Sequence, residues 1–267
     1  MICQICNQTT SLIYKTKVLN KYDVSYFQCN GCKFIQTEEP YWLKEAYENV
    51  ITSLDIGLVS RNLYLLDNIP TIIDKCFPMA KKMVDYGGGY GMFVRMMRDK
   101  GYAFFRQDIY CENLFSKHFD ISENPGVRID IVTAFEVFEH LTNPLVEIEK
   151  MLKYAENIIF STVLVPKNVT DFKDWWYITP QTGQHIAFYS IESLEFVAKK
   201  YHLNFYTNGQ NLHFFSKNKI DEKVVQEVFH PQKSIVEKVA NRLKGEVKTK
   251  PSLLQSDYDF ILKQLNK

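Results

Sequence analysis

The chain has 267 residues, with 32 Lys and Arg against 31 Asp and Glu, and 46% of its residues are hydrophobic. This length suits one large domain with smaller additions, and the composition excludes a disordered, collagen-like or coiled-coil chain. The formal net charge of +1 disfavours a nucleic-acid partner. No apolar run is long enough to span a membrane and no signal-peptide pattern opens the chain, so we expect a cytoplasmic protein without a membrane partner.

Four of the six cysteines form two C-x-x-C pairs near the N-terminus. They are Cys3, Cys6, Cys29 and Cys32. Two such pairs supply the four thiolates of a tetrahedral Zn²⁺ site, whereas disulfides are disfavoured in a chain without an export signal. The β-prone runs 15–19 and 24–28 flank a turn and predict a hairpin between the pairs. We therefore predict a zinc ribbon at residues 1–40 that depends on the metal for most of its folding free energy.

A leading helical region is predicted at residues 60–76, before the first strand of the main fold. Pro70 lies inside this region. Because proline lacks the amide hydrogen that a helix interior needs, we expect it to break the helix or change its direction.

A glycine-rich loop follows a short apolar strand that ends at Asp85, and a helical pattern begins at Met92. Glycines permit positive φ angles and let the backbone approach a ligand closely, at the positive end of the following helix. A second strand, predicted at 103–108, ends in Asp108. Nucleotide-type folds place a carboxylate there to bind two ribose hydroxyls. The unit predicts a nucleotide-type cofactor site in an α/β fold.

Residues 85–91 resemble the first motif of class I S-adenosylmethionine-dependent methyltransferases, an acid and any residue followed by Gly-x-Gly-x-Gly. A dinucleotide fingerprint would need glycine at the position of Met92. Residues 130–141 likewise resemble the fourth strand of the family running into Glu-x-x-Glu-His-Leu. The resemblance implies that the loop holds the amino-acid end of the donor, that Asp108 holds its ribose, and that Phe135 and Glu136 border the reaction centre. The implied donor-binding residues are Asp85, Gly87, Gly88, Gly89, Gly91, Asp108, Phe135 and Glu136.

More narrowly, residues 1–217 resemble bacterial methyltransferases that carry an N-terminal zinc-binding segment and occur among surface-polysaccharide and nucleotide-sugar enzymes. The paired C-x-x-C, the glycine loop and residues 183–190 carry this likeness. It implies a sugar, sugar nucleotide or surface-glycan precursor as methyl acceptor. The third strand of the family and its adenine-binding acid have no clear place between residues 118 and 128, where Asp120 and Glu123 are the candidate carboxylates.

The acceptor side is predicted in a loop at residues 166–190. Six of the eighteen residues at 172–189 are aromatic, against 14% for the whole chain, and flat rings suit sugar faces and nucleobases. His185 is the candidate general base, because an imidazole ionises near neutral pH; a structural histidine is an equal alternative. The predicted catalytic residues are His185, Tyr177 and Glu136.

The other polar and aromatic residues near this loop have competing interpretations. Trp175 and Trp176 suit packing of the loop on the fold as well as acceptor contact. Glu139 and His140 suit helix-start packing or support of the site better than direct chemistry. We predict no role for the isolated Cys76 and Cys111.

The predicted fold class is α/β: a Rossmann-like, mostly parallel sheet covered by helices on both faces, with the zinc ribbon and a C-terminal helical extension. The predicted boundaries are 1–40 for the ribbon, 41–217 for the methyltransferase domain and 218–267 for the extension. We expect the helices of the extension, interrupted at Pro231 and Pro251, on the outside of the fold or in a homodimer contact. The remaining strands are predicted near 129–135, 157–163, 203–208 and 211–216, and the helices near 91–100, 143–154 and 190–201.

The leading functional prediction is methyl transfer from S-adenosylmethionine to a small-molecule acceptor, with Zn²⁺ as a second cofactor. One alternative is an RNA or protein methyltransferase whose zinc ribbon binds the substrate. Another is a non-catalytic adaptor that retains the fold. The near-zero net charge argues against RNA, and the intact glycine loop with Asp108 argues against the adaptor.

Overall fold

The computed structural model describes residues 1–48, 50–230 and 252–265 of the chain. They fall into two compact units. The first is built from residues 1–52 and 79–219, and the second from the described parts of 53–78 and 220–267. The division predicted at residues 40 and 217 stays a prediction.

The described residues of the first unit contain ten strands. They are β1 Thr10–Val18, β2 Tyr22–Cys29, β3 Ile35–Thr37, β4 Lys82–Tyr86, β5 Ala103–Gln107, β6 Ile131–Phe135, β7 Ile158–Ser161, β8 Ala187–Phe188, β9 Asn204–Thr207 and β10 Leu212–Ser216. The main sheet has the strand order β5-β4-β6-β7-β10-β9. Strands β5, β4, β6 and β7 are parallel, and β10 runs antiparallel to both of its neighbours. The predicted mostly parallel sheet is confirmed.

The central strands are short apolar runs because both faces of this sheet are covered. β7 and β10 are buried along their whole length. Parallel strands need this protection, since their crossover connections place helices on both faces. Beyond β6, the ring of Phe138 stacks on Phe160 of β7, with centroids 4.1 Å apart, and continues the core past the strand end.

Seven helices are described. They are α1 Leu43–Ala46, α2 Leu58–Cys76, α3 Met92–Asp99, α4 Pro144–Leu152, α5 Ile191–Lys200, α6 Glu222–Phe229 and α7 Leu254–Leu265. Helices lie on both sides of the main sheet, as predicted. Proline starts α4, where its missing amide hydrogen costs no helical bond. Ser190 caps α5 by accepting a hydrogen bond from the Ser193 amide.

The second unit contains α2, α6 and α7. The break expected at Pro70 was wrong, because α2 continues through it from Leu58 to Cys76. Ile69, Ile72 and Ile73 are buried on one face, and this packing holds the helix where the proline removes a backbone bond. The helix α7 confirms a helical C-terminal extension; Pro231 and Pro251 lie outside the described residues, and the homodimer contact stays a prediction.

A second, antiparallel sheet has the order β1-β2-β3-β8. Its hairpin of β1 and β2 confirms the one predicted between the cysteine pairs. β8 belongs to the loop predicted at 166–190, and it pairs with β3 through Ile35 opposite Phe188 and Gln36 opposite Ala187. The cysteine-rich segment and the predicted acceptor loop therefore share one sheet.

No helix in the described ranges is both long and apolar enough to cross a membrane.

Candidate active site

The glycine loop joins the carboxyl end of β4 to the start of α3. Gly87 has a φ of +71°, and a Cβ there would lie 2.7 Å from Val137, just beyond β6. Gly89 has a φ of +52°, and a Cβ there would meet no described atom within 4 Å. The loop thus packs on the exit of β6 at Gly87 and leaves open space at Gly89, as a cradle for a ligand requires.

Asp85, the first acid of the motif, lies buried beneath the loop. Its Oδ1 accepts a hydrogen bond of 2.6 Å from the Thr133 hydroxyl on β6. Burial, with a smaller contribution from the nearby Asp108 carboxylate, raises the pKa of the Asp85 carboxyl to about 7. The carboxyl is therefore poised between its neutral and charged forms near neutral pH.

We expect an Asp85→Asn variant to become more stable than the wild type as the pH rises from 4 to 7. The pKa of about 7 in the folded state exceeds the ordinary aspartate value of 3.8, so the folded state holds the proton more tightly. The stability that the proton provides is complete below pH 4 and is lost as the pH rises through 7. At pH 7 the variant should have gained about 4 kcal/mol of unfolding free energy over the wild type relative to pH 4, since each pKa unit corresponds to about 1.4 kcal/mol.

Urea unfolding of both proteins at pH 4 and pH 7 measures this difference. Asp67→Asn, on the exposed surface of α2, is the matched control and should follow the wild type at both pH values. An identical pH response of Asp85→Asn and the wild type would contradict the assignment.

Asp108 shapes the glycine loop from the end of the neighbouring strand. Its Oδ2 accepts a 2.9 Å hydrogen bond from the Gly89 amide. Its Oδ1 accepts hydrogen bonds from the amides of Tyr110 and Cys111, at 2.8 and 2.7 Å. The side chain is only 7% exposed. Asp108 therefore lies against the glycine loop, and three backbone amides fix its carboxylate. Its contact with a ribose stays a prediction.

Arg106 on β5 completes this arrangement, and the sequence reasoning missed it. Its side chain is 3% exposed and lies 3.8 Å from Asp108 and 2.6 Å from Asp120. Its Nε also donates a 2.6 Å hydrogen bond to the Gly89 carbonyl oxygen. A buried guanidinium shared by two carboxylates needs such partners. A charged residue inside the apolar run of β5 was the available signal.

The third strand of the family pattern is reduced here to one bridge. Asp120 forms an isolated parallel bridge with Arg106, and a 3-10 turn, Ile121–Glu123, follows it. The Asp120 carboxylate also accepts a 2.9 Å hydrogen bond from Asn113. β5 is therefore the edge strand, which explains why the sequence offered no clear third strand between residues 118 and 128.

Phe135 is the last residue of β6 and Glu136 follows it; β6 pairs with β4, the strand that leads into the glycine loop. The Phe135 ring packs edge-on against Phe93 of α3, with centroids 5.0 Å apart. Glu136 has a positive φ of 53°, a conformation that costs energy for a residue with a side chain. Ser161 holds it there: the Ser161 hydroxyl accepts from the Glu136 amide at 2.9 Å and donates to its carboxylate at 2.6 Å.

His185 and His140 form a perpendicular pair of rings, with centroids 4.9 Å apart. His185 Nδ1 lies 2.6 Å from the Tyr177 carbonyl oxygen, and His140 Nδ1 lies 3.1 Å from the Gln184 carbonyl oxygen. Because a carbonyl oxygen only accepts, each Nδ1 carries a hydrogen, and the lone pair of the neutral form of each ring is on Nε2. The Tyr47 hydroxyl, 3.1 Å from His140 Nδ1, is a second acceptor for the same hydrogen.

Tyr177 is buried, with 2% of its surface exposed. Its hydroxyl donates a 2.6 Å hydrogen bond to Glu139, and its ring centroid is 4.6 Å from that of His185. Burial and the nearby Glu136 and Glu139 carboxylates raise the pKa of Tyr177 well above its usual value. The phenol therefore stays protonated and holds the Glu139 carboxylate in place.

Most of the aromatic excess at 172–189 is core. The buried members are Phe172, Tyr177, Phe188 and Tyr189. Phe172 and Phe188 pack on Tyr26 of β2, with centroids 5.6 and 6.2 Å away. Trp176, in contrast, is 66% exposed and lies 5.3 Å from the Tyr177 ring. Only part of the local aromatic excess can thus face an acceptor, and the rest joins the loop to the hairpin.

The four N-terminal cysteines converge on one point. The Sγ atoms of Cys3 and Cys32 are 3.6 Å apart, those of Cys6 and Cys29 are 3.3 Å apart, and all four lie within 4.8 Å of one another. Zn–S bonds of about 2.3 Å place tetrahedral sulfurs about 3.8 Å apart. The thiol cluster is therefore compatible with a zinc ribbon.

Hydrogen bonds to Cys32, Trp42 and Glu139 hold the residues on either side of His185. The Trp42 indole donates a 2.8 Å hydrogen bond to the Gly183 carbonyl oxygen, and the Ser190 hydroxyl donates one of 2.7 Å to the Cys32 carbonyl oxygen. The Ile186 amide donates to the Glu139 carbonyl oxygen at 2.9 Å. Sequence reasoning missed Trp42 and Tyr47, which no motif marks.

The glycine loop and the segment that follows β6 lie at the same edge of the main sheet. β4 and β6 are parallel neighbours, so the glycine loop and the segment after β6 both leave from carboxyl ends of strands. Open α/β sheets bind ligands at this edge. Val137 connects these two segments, because it lies two residues before Glu139 and its side chain would be 2.7 Å from a Cβ at Gly87.

The chain matches a family model described as a methyltransferase domain over residues 60–208, more than half of its length. A comparison with curated proteins found no match.

Among solved structures, TnmH has a TM-score of 0.40 and 11% sequence identity, over 60% of this chain and 58% of TnmH. The plantazolicin methyltransferase BpumL in complex with SAH has a TM-score of 0.41 and 12% identity, over 66% of this chain and 89% of BpumL. CalO1, a methyltransferase in calicheamicin biosynthesis in its SAH-bound form, has a TM-score of 0.37 and 12% identity, over 61% of this chain and 57% of CalO1.

The chain thus spans less than two thirds of TnmH and of CalO1. Similarities of this size carry no argument about the reaction, and the assignment rests on the family model. That match confirms the prediction of a methyltransferase. The chain belongs to the methyltransferase domain family.

Proposed function

We propose that the protein transfers a methyl group from S-adenosylmethionine to a small acceptor, a sugar, sugar nucleotide or surface-glycan precursor, with His185 as general base. The observation that carries this proposal is the His185 imidazole. Its Nδ1 is held 2.6 Å from the Tyr177 carbonyl oxygen, and it lies at the sheet edge that also bears the glycine loop. A base with a fixed tautomer at the sheet edge that also bears the glycine loop is suited to proton removal from an acceptor.

The donor side fits the methyl donor. S-adenosylmethionine supplies a methyl group on a sulfonium cation, which is reactive without further activation. Gly89 leaves open space at the loop, and Asp108 is fixed beside it where ribose hydroxyls are expected. Phe135 and Glu136 border the reaction centre from the end of β6. The chain's own task is to orient donor and acceptor, which contributes several kcal/mol to lowering the barrier.

The acceptor side removes a proton if the reacting group is a hydroxyl or an acidic carbon. His185 Nε2 carries the lone pair that receives it, because Nδ1 is committed to the Tyr177 carbonyl oxygen. Tyr177 positions both His185, through this carbonyl, and Glu139, through its hydroxyl. The exposed Trp176 offers a flat ring for a sugar face or a nucleobase. The net charge of +1 favours a small acceptor over RNA.

Methyl transfer from S-adenosylmethionine to a panel of nucleotide sugars, followed by mass spectrometry, tests this function. We expect a methylated nucleotide sugar with the wild type and at least about 100-fold slower formation of it with His185→Ala. Transfer only to RNA or protein would support the alternative substrate class. Absence of donor binding in isothermal titration would support a non-catalytic adaptor.

We also propose that Cys3, Cys6, Cys29 and Cys32 hold a Zn²⁺ ion that stabilises the acceptor side. The donor set is four thiols in one cluster, which Zn²⁺ accepts as thiolates. β3 follows the last of these cysteines and pairs with β8, which begins two residues after His185. Loss of the metal would release this sheet, and with it the chain on both sides of His185.

Removal of one cysteine ligand is expected to eliminate the zinc and to lower turnover. Elemental analysis should find about one zinc per wild-type chain and almost none in Cys29→Ser. The thermal unfolding midpoint and the methyl-transfer rate should both fall in that variant. Cys76→Ser, which removes a thiol outside the cluster, is the matched control and should retain the zinc. Full zinc content in Cys29→Ser would contradict the proposed site.

A further inference from the structure

A second group of metal-ligating side chains lies in the first unit, apart from the four cysteines. One nitrogen from each of His140 and His185 and one carboxylate oxygen of Glu139 lie within 4.8 Å of one another. Two metal–ligand bonds of about 2.1 Å span at most about 4.2 Å, so small side-chain rotations bring three such donors into one coordination sphere. Two imidazoles and one carboxylate are also a set that transition metals bind with open positions left over.

The surroundings of these side chains are those of metal ligands. Ligating histidines usually donate their other ring N–H to a backbone carbonyl or a carboxylate, which fixes the ring and its tautomer. Both imidazoles here have Nδ1 on a backbone carbonyl oxygen, His185 on that of Tyr177 and His140 on that of Gln184, which assigns Nε2 of each ring to the ion. The Tyr177 hydroxyl fixes the carboxylate of Glu139 in the same way. These hydrogen bonds therefore hold all three side chains near the arrangement that an ion needs.

The chemistry of the donors selects the class of cation. Mg²⁺ and Ca²⁺ prefer oxygen ligands, whereas imidazole nitrogen suits Zn²⁺, Co²⁺, Ni²⁺ and Fe²⁺. The buried Glu139 would coordinate in its carboxylate form and so supply one negative charge to a divalent ion. Two neutral imidazoles complete the set without adding charge.

We propose that Glu139, His140 and His185 bind a divalent transition-metal cation, and that the bound cation stops methyl transfer. A metal takes the nitrogen lone pair that would otherwise accept the acceptor's proton, so the ion and the proton compete for His185. The effect on turnover rests on the proposed function of His185. The binding does not, because it needs neither the methyl donor nor an acceptor.

Titration of Co²⁺ into the full-length, zinc-loaded protein tests the site. Calorimetry should find about one Co²⁺ per chain beyond the zinc. The visible spectrum should show the d–d bands of the ion without thiolate-to-cobalt charge transfer, which distinguishes this site from exchange into the cysteines. His140→Gln and Glu139→Gln should each weaken the binding at least about 10-fold. His118→Ala, which removes a histidine that is 89% exposed, should bind as the wild type does.

Thermal unfolding of each variant separates loss of ligands from loss of fold. Absence of the additional Co²⁺, or equal binding by the wild type and both folded glutamine variants, would overturn the site. Co²⁺ at saturating concentration should suppress turnover of the wild type. Turnover that rises with Co²⁺ would overturn the inhibitory role and assign His185 to metal binding instead of proton removal. A protein that binds Co²⁺ as described but transfers no methyl group would refute the proposed function and leave the metal site standing.

Discussion

Replacing Gly89 by valine is expected to lower the affinity for S-adenosylmethionine at least about 100-fold, or about 2.7 kcal/mol. Two effects combine. The valine side chain would fill space in which no described atom lies within 4 Å of the Cβ position, where the donor must approach the backbone. The φ of +52° is also a conformation that β-branched residues rarely adopt, so the loop would shift from its bond to Asp108. Isothermal titration of the donor measures the change.

Gly126→Val is the matched control for this variant. Gly126 has a φ of +84° and likewise has no described atom within 4 Å of a Cβ, but it lies outside the glycine loop. The control should therefore show a comparable loss of stability with the donor affinity of the wild type. Equal donor affinities for Gly89→Val and the wild type would remove the glycine loop from the donor site.

Replacing His185 by alanine is expected to lower turnover by about 100- to 10,000-fold, the usual contribution of a general base. The donor affinity should change little, because the donor contacts are expected from the glycine loop and Asp108. Lower turnover with unchanged donor affinity distinguishes a base from a structural histidine, because loss of a structural histidine would also disturb the Tyr177 contact and the fold. Turnover at saturating donor and acceptor, with calorimetry of donor binding, gives both quantities.

Added imidazole should restore part of the turnover of His185→Ala, since the truncated side chain leaves space beside the Tyr177 ring. His118→Ala, at an exposed position, should turn over like the wild type. Full turnover by His185→Ala would exclude His185 from the chemistry and leave it a structural residue.

The parts of the fold that sequence predicts well are those encoded by local pattern. The strand–loop–helix unit around Gly89 follows from an apolar run, a group of glycines and a helical period, which all act within about twenty residues. The hairpin between the cysteine pairs follows from its turn and its β-branched and aromatic residues. Pro70 shows the limit of such rules, because packing of Ile69 and Ile72 outweighs the local preference against proline.

The parts that sequence misses depend on contacts between distant segments. The pairing of β3 with β8 and the bond from Trp42 to Gly183 join residues that no local pattern relates. The same holds for Arg106, which forms an ion pair with Asp120, a residue that an isolated β-bridge brings beside it. Composition also cannot separate core from surface, which is why the aromatic excess suggested a larger acceptor face than Trp176 provides.

The central claim is that the cradle at Gly89 and the base at His185 serve one reaction on a small acceptor. Transfer of a labelled methyl group from S-adenosylmethionine, offered nucleotide sugars, RNA and protein in parallel, tests it most directly. The account predicts label in a nucleotide sugar, lost in both Gly89→Val and His185→Ala and retained in Gly126→Val and His118→Ala. Label in RNA or protein alone, or in a nucleotide sugar regardless of these substitutions, would contradict it.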